Sequence, residues 1–210
     1  MRHVFTLLAM GIVGLTAATN EILAAPFVLT FNALKHDEPV ANYYEGGYGG
    51  MGTGPGPNLG VTFPSHALAF GPLGPVPGPI LYWDDHSKSN ITINVPGGFD
   101  TGFSFLFTSD VVGAVWIYDG PDATGNQLAK LTLPDQNFDE TNFELFPISL
   151  SFDGTARSVR LGSDSHLVIF DDLTFGSLMP GVPEPTTLSL IVPGVVATTL
   201  SRRFRRPQVG

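Results

Sequence analysis

Three groups of residues in this chain have the types that chemistry needs. Tyr82-Trp83 is followed by Asp84, Asp85 and His86. Aromatic faces beside carboxylates and an imidazole suit stacking on a sugar ring and bonding to its hydroxyls. Tyr82 and Trp83 are therefore the candidate glycan contacts; the competing reading packs them in a core. Tyr43, Tyr44 and Tyr48 lie in or beside another loop, whereas Trp116, inside a regular strand pattern, reads as structural. Asp171-Asp172 sets two carboxylates side by side near the end of the last strand, where the simplest role is a solvated, edge-protecting pair. Gly162-Ser163-Asp164-Ser165-His166 holds the residue types of a serine triad. It has no nucleophile elbow, and neighbours on a strand point to opposite faces. His3, His36, His66, His86 and His166 are scattered, with no His-x-x-x-His pair for zinc. Acidic residues are numerous enough to make chance glycosidase-like pairs inevitable. The expectation is a protein that is not an enzyme.

The frame for these residues is written in alternation. Ile91, Ile93 and Val95 point one way; Phe103, Phe105 and Phe107 share a face, with Ser104 and Thr108 opposite. Val115 and Ile117 alternate with Trp116 and Tyr118, a turn spans 119–126, and 128–133 returns. Ile148, Leu150 and Phe152 alternate with Pro147, Ser149 and Ser151, and Asp153-Gly154 turns the chain into 156–161. Shorter strands are expected at 27–31, 61–63, 67–70 and 80–83, and a last strand region at 166–175. Many short period-two strands between turn signals predict an all-β chain, a β-sandwich or barrel. Phe170, Leu173 and Phe175 cannot share one side at strict period two, so a bulge is expected near Asp171-Asp172. Residues 35–39 read as a turn. Residues 43–60 are too rich in glycine and proline for strand or helix and read as a long loop. This loop lacks the Gly-Lys-Ser/Thr ending of a phosphate cradle, and no helix pattern follows it.

Composition narrows the setting. The chain has no cysteine, hence no disulfide, thiolate metal site or cysteine nucleophile. Charged residues make up only 14%, against 25 glycines and 18 prolines, which suits a turn-rich β chain. The net charge is −9. Between residues 25 and 180, Lys35, Lys88, Lys130, Arg157 and Arg160 are the five cations, facing 17 acidic side chains. That surface repels nucleic acid and anionic lipid; it suits divalent cations and neutral partners such as glycans.

The two ends differ from the middle. Met1-Arg2-His3 is a short basic start, 4–16 is apolar, and small residues follow at Ala17-Ala18 and Ala24-Ala25. Residues 1–25 read as a secretory signal peptide, leaving 26–178 as the folded domain. The tail, 181–206, holds Val182-Pro183-Glu184-Pro185, an uncharged apolar stretch, and then Arg202, Arg203, Arg205 and Arg206. The apolar stretch of about 15 residues reaches roughly 22 Å as a helix, short of the ~30 Å hydrocarbon layer. Pro193-Gly194 weakens it further. It is suited to a transient stop, with the arginines held on the cytoplasmic side. Pro183 and Pro185 keep the triplet extended, in a form that a protease can grip.

In this order the three parts of the tail resemble the PEP-CTERM sorting signal, which an exosortase-type membrane protease processes in Gram-negative bacteria. Two further blocks are similar to the ectodomain that recurs in PEP-CTERM proteins. One runs from Pro39-Val40-Ala41-Asn42-Tyr43-Tyr44 to Gly54-Pro55-Gly56-Pro57-Asn58-Leu59-Gly60-Val61-Thr62-Phe63. The other runs from Phe152-Asp153-Gly154-Thr155-Ala156-Arg157-Ser158-Val159 to Phe170-Asp171-Asp172-Leu173-Thr174-Phe175-Gly176. That ectodomain resembles a jelly roll of the galactose-binding or carbohydrate-binding-module type. The resemblance implies a single antiparallel jelly-roll sandwich, flanked by an N-terminal signal helix and a C-terminal apolar helix. It implies export to the cell surface or extracellular matrix, with transient inner-membrane insertion and an exosortase partner. Extracellular polysaccharide is a further partner, and a lectin-like carbohydrate-binding module is the alternative function. It also implies a structural calcium at Asp171, with Asp37 or Glu38 as remote partners, because a similar acidic pair holds calcium in such jelly rolls. Calcium takes six to eight oxygens.

Overall fold

The phenylalanines of 102–109 are the hub around which the rest packs. The computed structural model describes residues 25–74, 76, 78–83, 90–137, 143–163 and 168–181. Phe103, Phe105 and Phe107 are all buried, with successive ring centroids 5.2 and 6.1 Å apart. Phe175 and Phe170 of the last strand meet this column at 4.9 and 5.5 Å. Burying each such ring contributes about 1.5–3 kcal/mol.

Eleven strands are described: β1 (Phe27–Leu29), β2 (Glu38–Pro39), β3 (Ala67–Phe70), β4 (Ile80–Trp83), β5 (Asn90–Phe99), β6 (Gly102–Ser109), β7 (Gly113–Tyr118), β8 (Gln127–Leu133), β9 (Phe146–Ser151), β10 (Ala156–Ser163) and β11 (Val168–Phe175). They form two antiparallel sheets. The larger runs β2-β3-β4-β11-β6-β9, with β1 also pairing β11; the smaller runs β5-β10-β7-β8. The fold is an all-β, antiparallel sandwich of the jelly-roll kind. Its core is built from alternate residues of each sheet: Ile91, Ile93, Val115, Ile117, Val159 and Leu161 face Leu81, Trp83 and the phenylalanine column.

The bulge falls where alternation required it. Asp171 pairs with Leu106 and the next pairing is Thr174 with Ser104, leaving one extra residue in β11. Asp172 takes a φ of +47° there. Phe170, Leu173 and Phe175 all reach the core as a result. Two local expectations are corrected. Residues 35–39 are more than a turn, since Glu38-Pro39 pairs with Leu68-Ala69 of β3. Residues 61–63 are not a strand; Thr62 makes an isolated bridge to Asn94.

The long loop is held by Glu38. This side chain is fully buried, and its carboxylate takes four hydrogen bonds. Lys35 N (2.8 Å) and Thr53 Oγ1 (2.6 Å) donate to Oε2; Met51 N (2.9 Å) and Thr53 N (3.1 Å) donate to Oε1. Burial alone would raise its pKa, but the Thr53 hydroxyl and the Lys35, Thr53 and Met51 amides together hold it below the usual carboxylate value. Gly49 lies so close that a Cβ there would meet Glu38 Oε1 at 2.5 Å.

The outer sides of the two sheets differ. On the larger sheet Ser104 and Thr108 are buried instead of facing water, and Ser104 Oγ donates to Ser177 O at 3.0 Å. A second apolar cluster of Ile80, Phe143 and Ile169, with Phe70, Leu73, Val76 and Leu145 packed on it, covers that side. Among the described residues, no helix is long and apolar enough to cross a membrane. The expected signal helix and C-terminal apolar helix fall on residues outside those described.

Candidate functional site: the open face of the smaller sheet

The smaller sheet keeps its outer side open, and strand register decides what stands there. β10 pairs β7 with Arg160 opposite Trp116, β7 pairs β8 with Trp116 opposite Lys130, and β10 pairs β5 with Arg160 opposite Thr92. Alternation sends Val115, Ile117, Val159 and Leu161 inward, so this row of Thr92, Arg160, Trp116 and Lys130 crosses the outside of the sheet. Trp116 and Arg160 are half-buried and Lys130 is exposed. The Arg160 guanidinium carbon lies 5.3 Å from the indole centroid and Lys130 Nζ lies 5.5 Å from it. The Arg160 Nε is buried and has no hydrogen-bond partner among the described residues.

The rows on either side shape the surface. Toward one end come Ala114 and Gly162, which pair with each other and carry almost no side chain. Their small size leaves a depression of about 330 Å³ beside Trp116, with Asn90, Thr132 and the exposed Val112 on its rim. Toward the other end the face is walled. Asn94 Nδ2 donates to Asp122 Oδ1 and Asp122 N donates to Asn94 Oδ1, both at 2.7 Å. Ser158 Oγ donates to Gly120 O (2.6 Å) and accepts from Ala123 N (3.1 Å), drawing the 119–126 turn against the sheet. Among the described residues, none that lines the depression is acidic.

The residues singled out from sequence lie elsewhere. Trp83 is fully buried, its ring stacked on Phe170 at a centroid distance of 6.3 Å. Neither face of its ring is open to a sugar, so it is corrected from glycan contact to core residue. Tyr82 points to the outer side of the larger sheet, half-buried against Phe70, which in turn meets His36. Asp84, Asp85 and His86 lie outside the described residues. So do Asp164, Ser165 and His166, and the sorting residues Val182, Pro183, Glu184, Pro185, Arg202, Arg203, Arg205 and Arg206. Ser163 closes β10 on the rim of the depression.

Asp171 sits on the covered side of the larger sheet, at a separate cavity of about 300 Å³ lined also by Asn32, Phe143, Glu144 and Asp172. It is nearly buried, and its Oδ1 accepts Asp172 N at 2.8 Å. Burial pushes its carboxyl up to about 7, with the neighbouring Asp172 adding to the rise against the pull of that amide. Burial raises Asp172 too. Neither remote partner expected for a calcium is among the described residues lining that cavity. Asp37 is exposed beside His36, 3.3 Å from its Nε2. Both oxygens of Glu38 are occupied by the donors described above. Among the described residues, no group of three or more histidine, aspartate or glutamate side chains is placed to hold a metal.

Sequence reasoning missed Trp116, Arg160 and Lys130 as a unit. A signal was present: Lys130 lies between Ala129 and Leu131, and Arg160 between Val159 and Leu161, so both share the outward parity of Trp116 within their strands. Register, which single strands do not carry, was needed to put them in one row.

No protein-family model matches the chain, and no curated protein matches it. Among solved structures, the chain is similar to a family 29 carbohydrate binding module at 9% identity, covering 74% of this chain and 95% of that one, with a TM-score of 0.42. Another family 29 module structure gives 7% identity, 74% and 92% coverage and a TM-score of 0.40. A glycoside hydrolase family 43 arabinoxylan arabinofuranohydrolase from Bacillus subtilis, in complex with cellotetraose, gives 19% identity over 55% of this chain and 26% of that one, with a TM-score of 0.39. At these values the likeness says nothing of the site.

Proposed function

We propose that the domain is a non-catalytic glycan-binding module that works through the open face of its smaller sheet. The observation that carries the proposal is the half-buried Trp116 in the row Thr92–Arg160–Trp116–Lys130, beside the depression left by Ala114 and Gly162. A pyranose ring offers an apolar C–H side that packs against an indole, and hydroxyls that need donors and acceptors fixed around it. Asn90 and Thr132 supply neutral polar groups, and Arg160 and Lys130 supply donors only. A sheet holds these groups rigidly, which lowers the ordering cost of binding.

Retention of the chain on immobilised polysaccharides in native gels is the test. Trp116→Ala is expected to weaken saturable retention by about tenfold or more, or ~1.4 kcal/mol. Its thermal midpoint should move only a few degrees, because the ring is half in water. A wild-type chain retained by no polysaccharide would overturn the proposal, as would a Trp116→Ala chain retained as well as wild type.

Delivery is a second part of the proposal. The module is exported and sorted to the cell surface or extracellular matrix through its tail by an exosortase-type protease. Support comes from the order of Pro183-Glu184-Pro185, the short apolar stretch and the arginines. Mass spectrometry of the mature protein should find Arg202, Arg203, Arg205 and Arg206 removed; their retention would reject this part.

A further inference from the structure

We infer that the open face selects carboxylate-bearing polysaccharides, chains containing uronate sugars, over neutral ones. The inference rests on the sheet-face reading above and names the class of glycan that face would take.

Between residues 25 and 180 carboxylates outnumber cations more than threefold, yet two of the five cations flank one indole in a single cross-strand row. Among the described residues, neither Arg160 nor Lys130 has an ion-pair partner and no acid lines the depression beside them. The buried Nε of Arg160 is a donor with no acceptor among the described residues. Buried donors are rarely left so, and the cost of one is recovered only when an acceptor arrives.

Trp116 partly compensates both charges through its ring quadrupole. That arrangement is also a filter. A neutral sugar must compete with two cations for the indole and gives them only hydroxyls in return. A carboxylate gives a charge-assisted and, with Arg160, bidentate partner, stronger than an exposed cation–π contact. It draws the head groups off the ring and frees the indole for the rest of the sugar. The remaining negative charge of the domain does not prevent this. At physiological salt, charges beyond about 8 Å are screened, while the two cations act at contact.

The test uses the full-length chain and matched probes: an oligogalacturonate, its methyl ester, a neutral cello-oligosaccharide and polyglutamate, each titrated by calorimetry. Methyl esterification removes the charge and keeps the sugar. Wild type is expected to bind the acid form at least about tenfold more tightly than the ester, with the gap closing as salt rises from 0.15 to about 1 M. Lys130→Gln and Arg160→Gln should each shrink the ratio of acid to ester affinity by about threefold or more. Lys130 is exposed, so its variant tests the charge without disturbing the core. Trp116→Ala should remove binding of both forms. Equal binding of acid and ester, lost in Trp116→Ala, rejects the acidic preference and leaves the sheet-face reading standing. Acid binding that survives both Trp116→Ala and Lys130→Gln places the ligand elsewhere and rejects this site. Polyglutamate binding as tightly as oligogalacturonate rejects the polysaccharide assignment. Binding of none of the glycans rejects both readings.

Discussion

The two outer faces of the sandwich have reversed roles relative to their side chains. Opposite the phenylalanine column, β6 offers Ser104 and Thr108, small polar residues suited to water, yet they are buried. Opposite Val115 and Ile117, β7 offers Trp116 and Tyr118, large rings suited to cover, yet they stay partly in solvent. What separates the faces is remote chain. Phe143, Leu145, Leu73 and Val76 lie over one sheet, whereas the 119–126 turn only walls one end of the other. An aromatic surface left uncovered on a domain that can cover surfaces is the kind that serves a partner.

That contrast can be broken or sharpened by placing the same change on each side. Ile169→Asp on the covered face should cost about 4 kcal/mol or more in urea melts, since it buries a carboxylate among apolar side chains. Thr132→Asp on the open face should stay within about 0.5 kcal/mol. Comparable losses at both positions would mean that the faces do not differ as described.

Next in size is Asp171, the carboxylate trapped under the covered face. Its folded pKa of about 7 lies above its ordinary 3.8, so the folded state retains an extra proton between those values. Its contribution is intact below about pH 4 and is lost as pH rises through 7. Asp171→Asn should match wild type at pH 4 and exceed it at pH 8 by about 3 kcal/mol, short of the ~4 kcal/mol that the full rise corresponds to. An unchanged gap across that window would refute the assignment.

Glu38 runs the opposite way. Its lowered pKa means a contribution present above the unfolded value and lost as pH falls through the folded one. Glu38→Gln turns one acceptor into a donor facing two other donors, and should cost about 2 kcal/mol at pH 7 with increased proteolysis in 43–60. A resistant loop in that variant would show that Glu38 does not hold it. The smallest effect is expected from calcium. Millimolar calcium and chelator should give thermal midpoints within about 1 °C. A wider separation would support a calcium role for Asp171.

How far the sequence carries follows the range of each interaction. The strands from Ile91 onward, their buried sides and the β11 bulge are local alternation, and alternation is visible in one chain. β2 was hidden because two residues carry no period; pairing with β3 defines it. Trp83 was misjudged for a related reason. It stands beside Asp84-Asp85-His86, yet its place in β4 sets its ring against Phe170, far along the chain. The Trp116 row needed three registers at once. Its parity was legible, but which segments would leave it uncovered was not.

One consequence concerns force. Phe27 at the start of β1 pairs with Phe175 at the end of β11, their rings stacked 5.0 Å apart. A load that entered before Phe27 and left after Phe175 would therefore peel this hairpin-like seam one rung at a time, beginning with that ring pair. Resistance to such a load would come from single rungs in succession, so this seam would open while the smaller sheet, which does not include β1 or β11, was still whole.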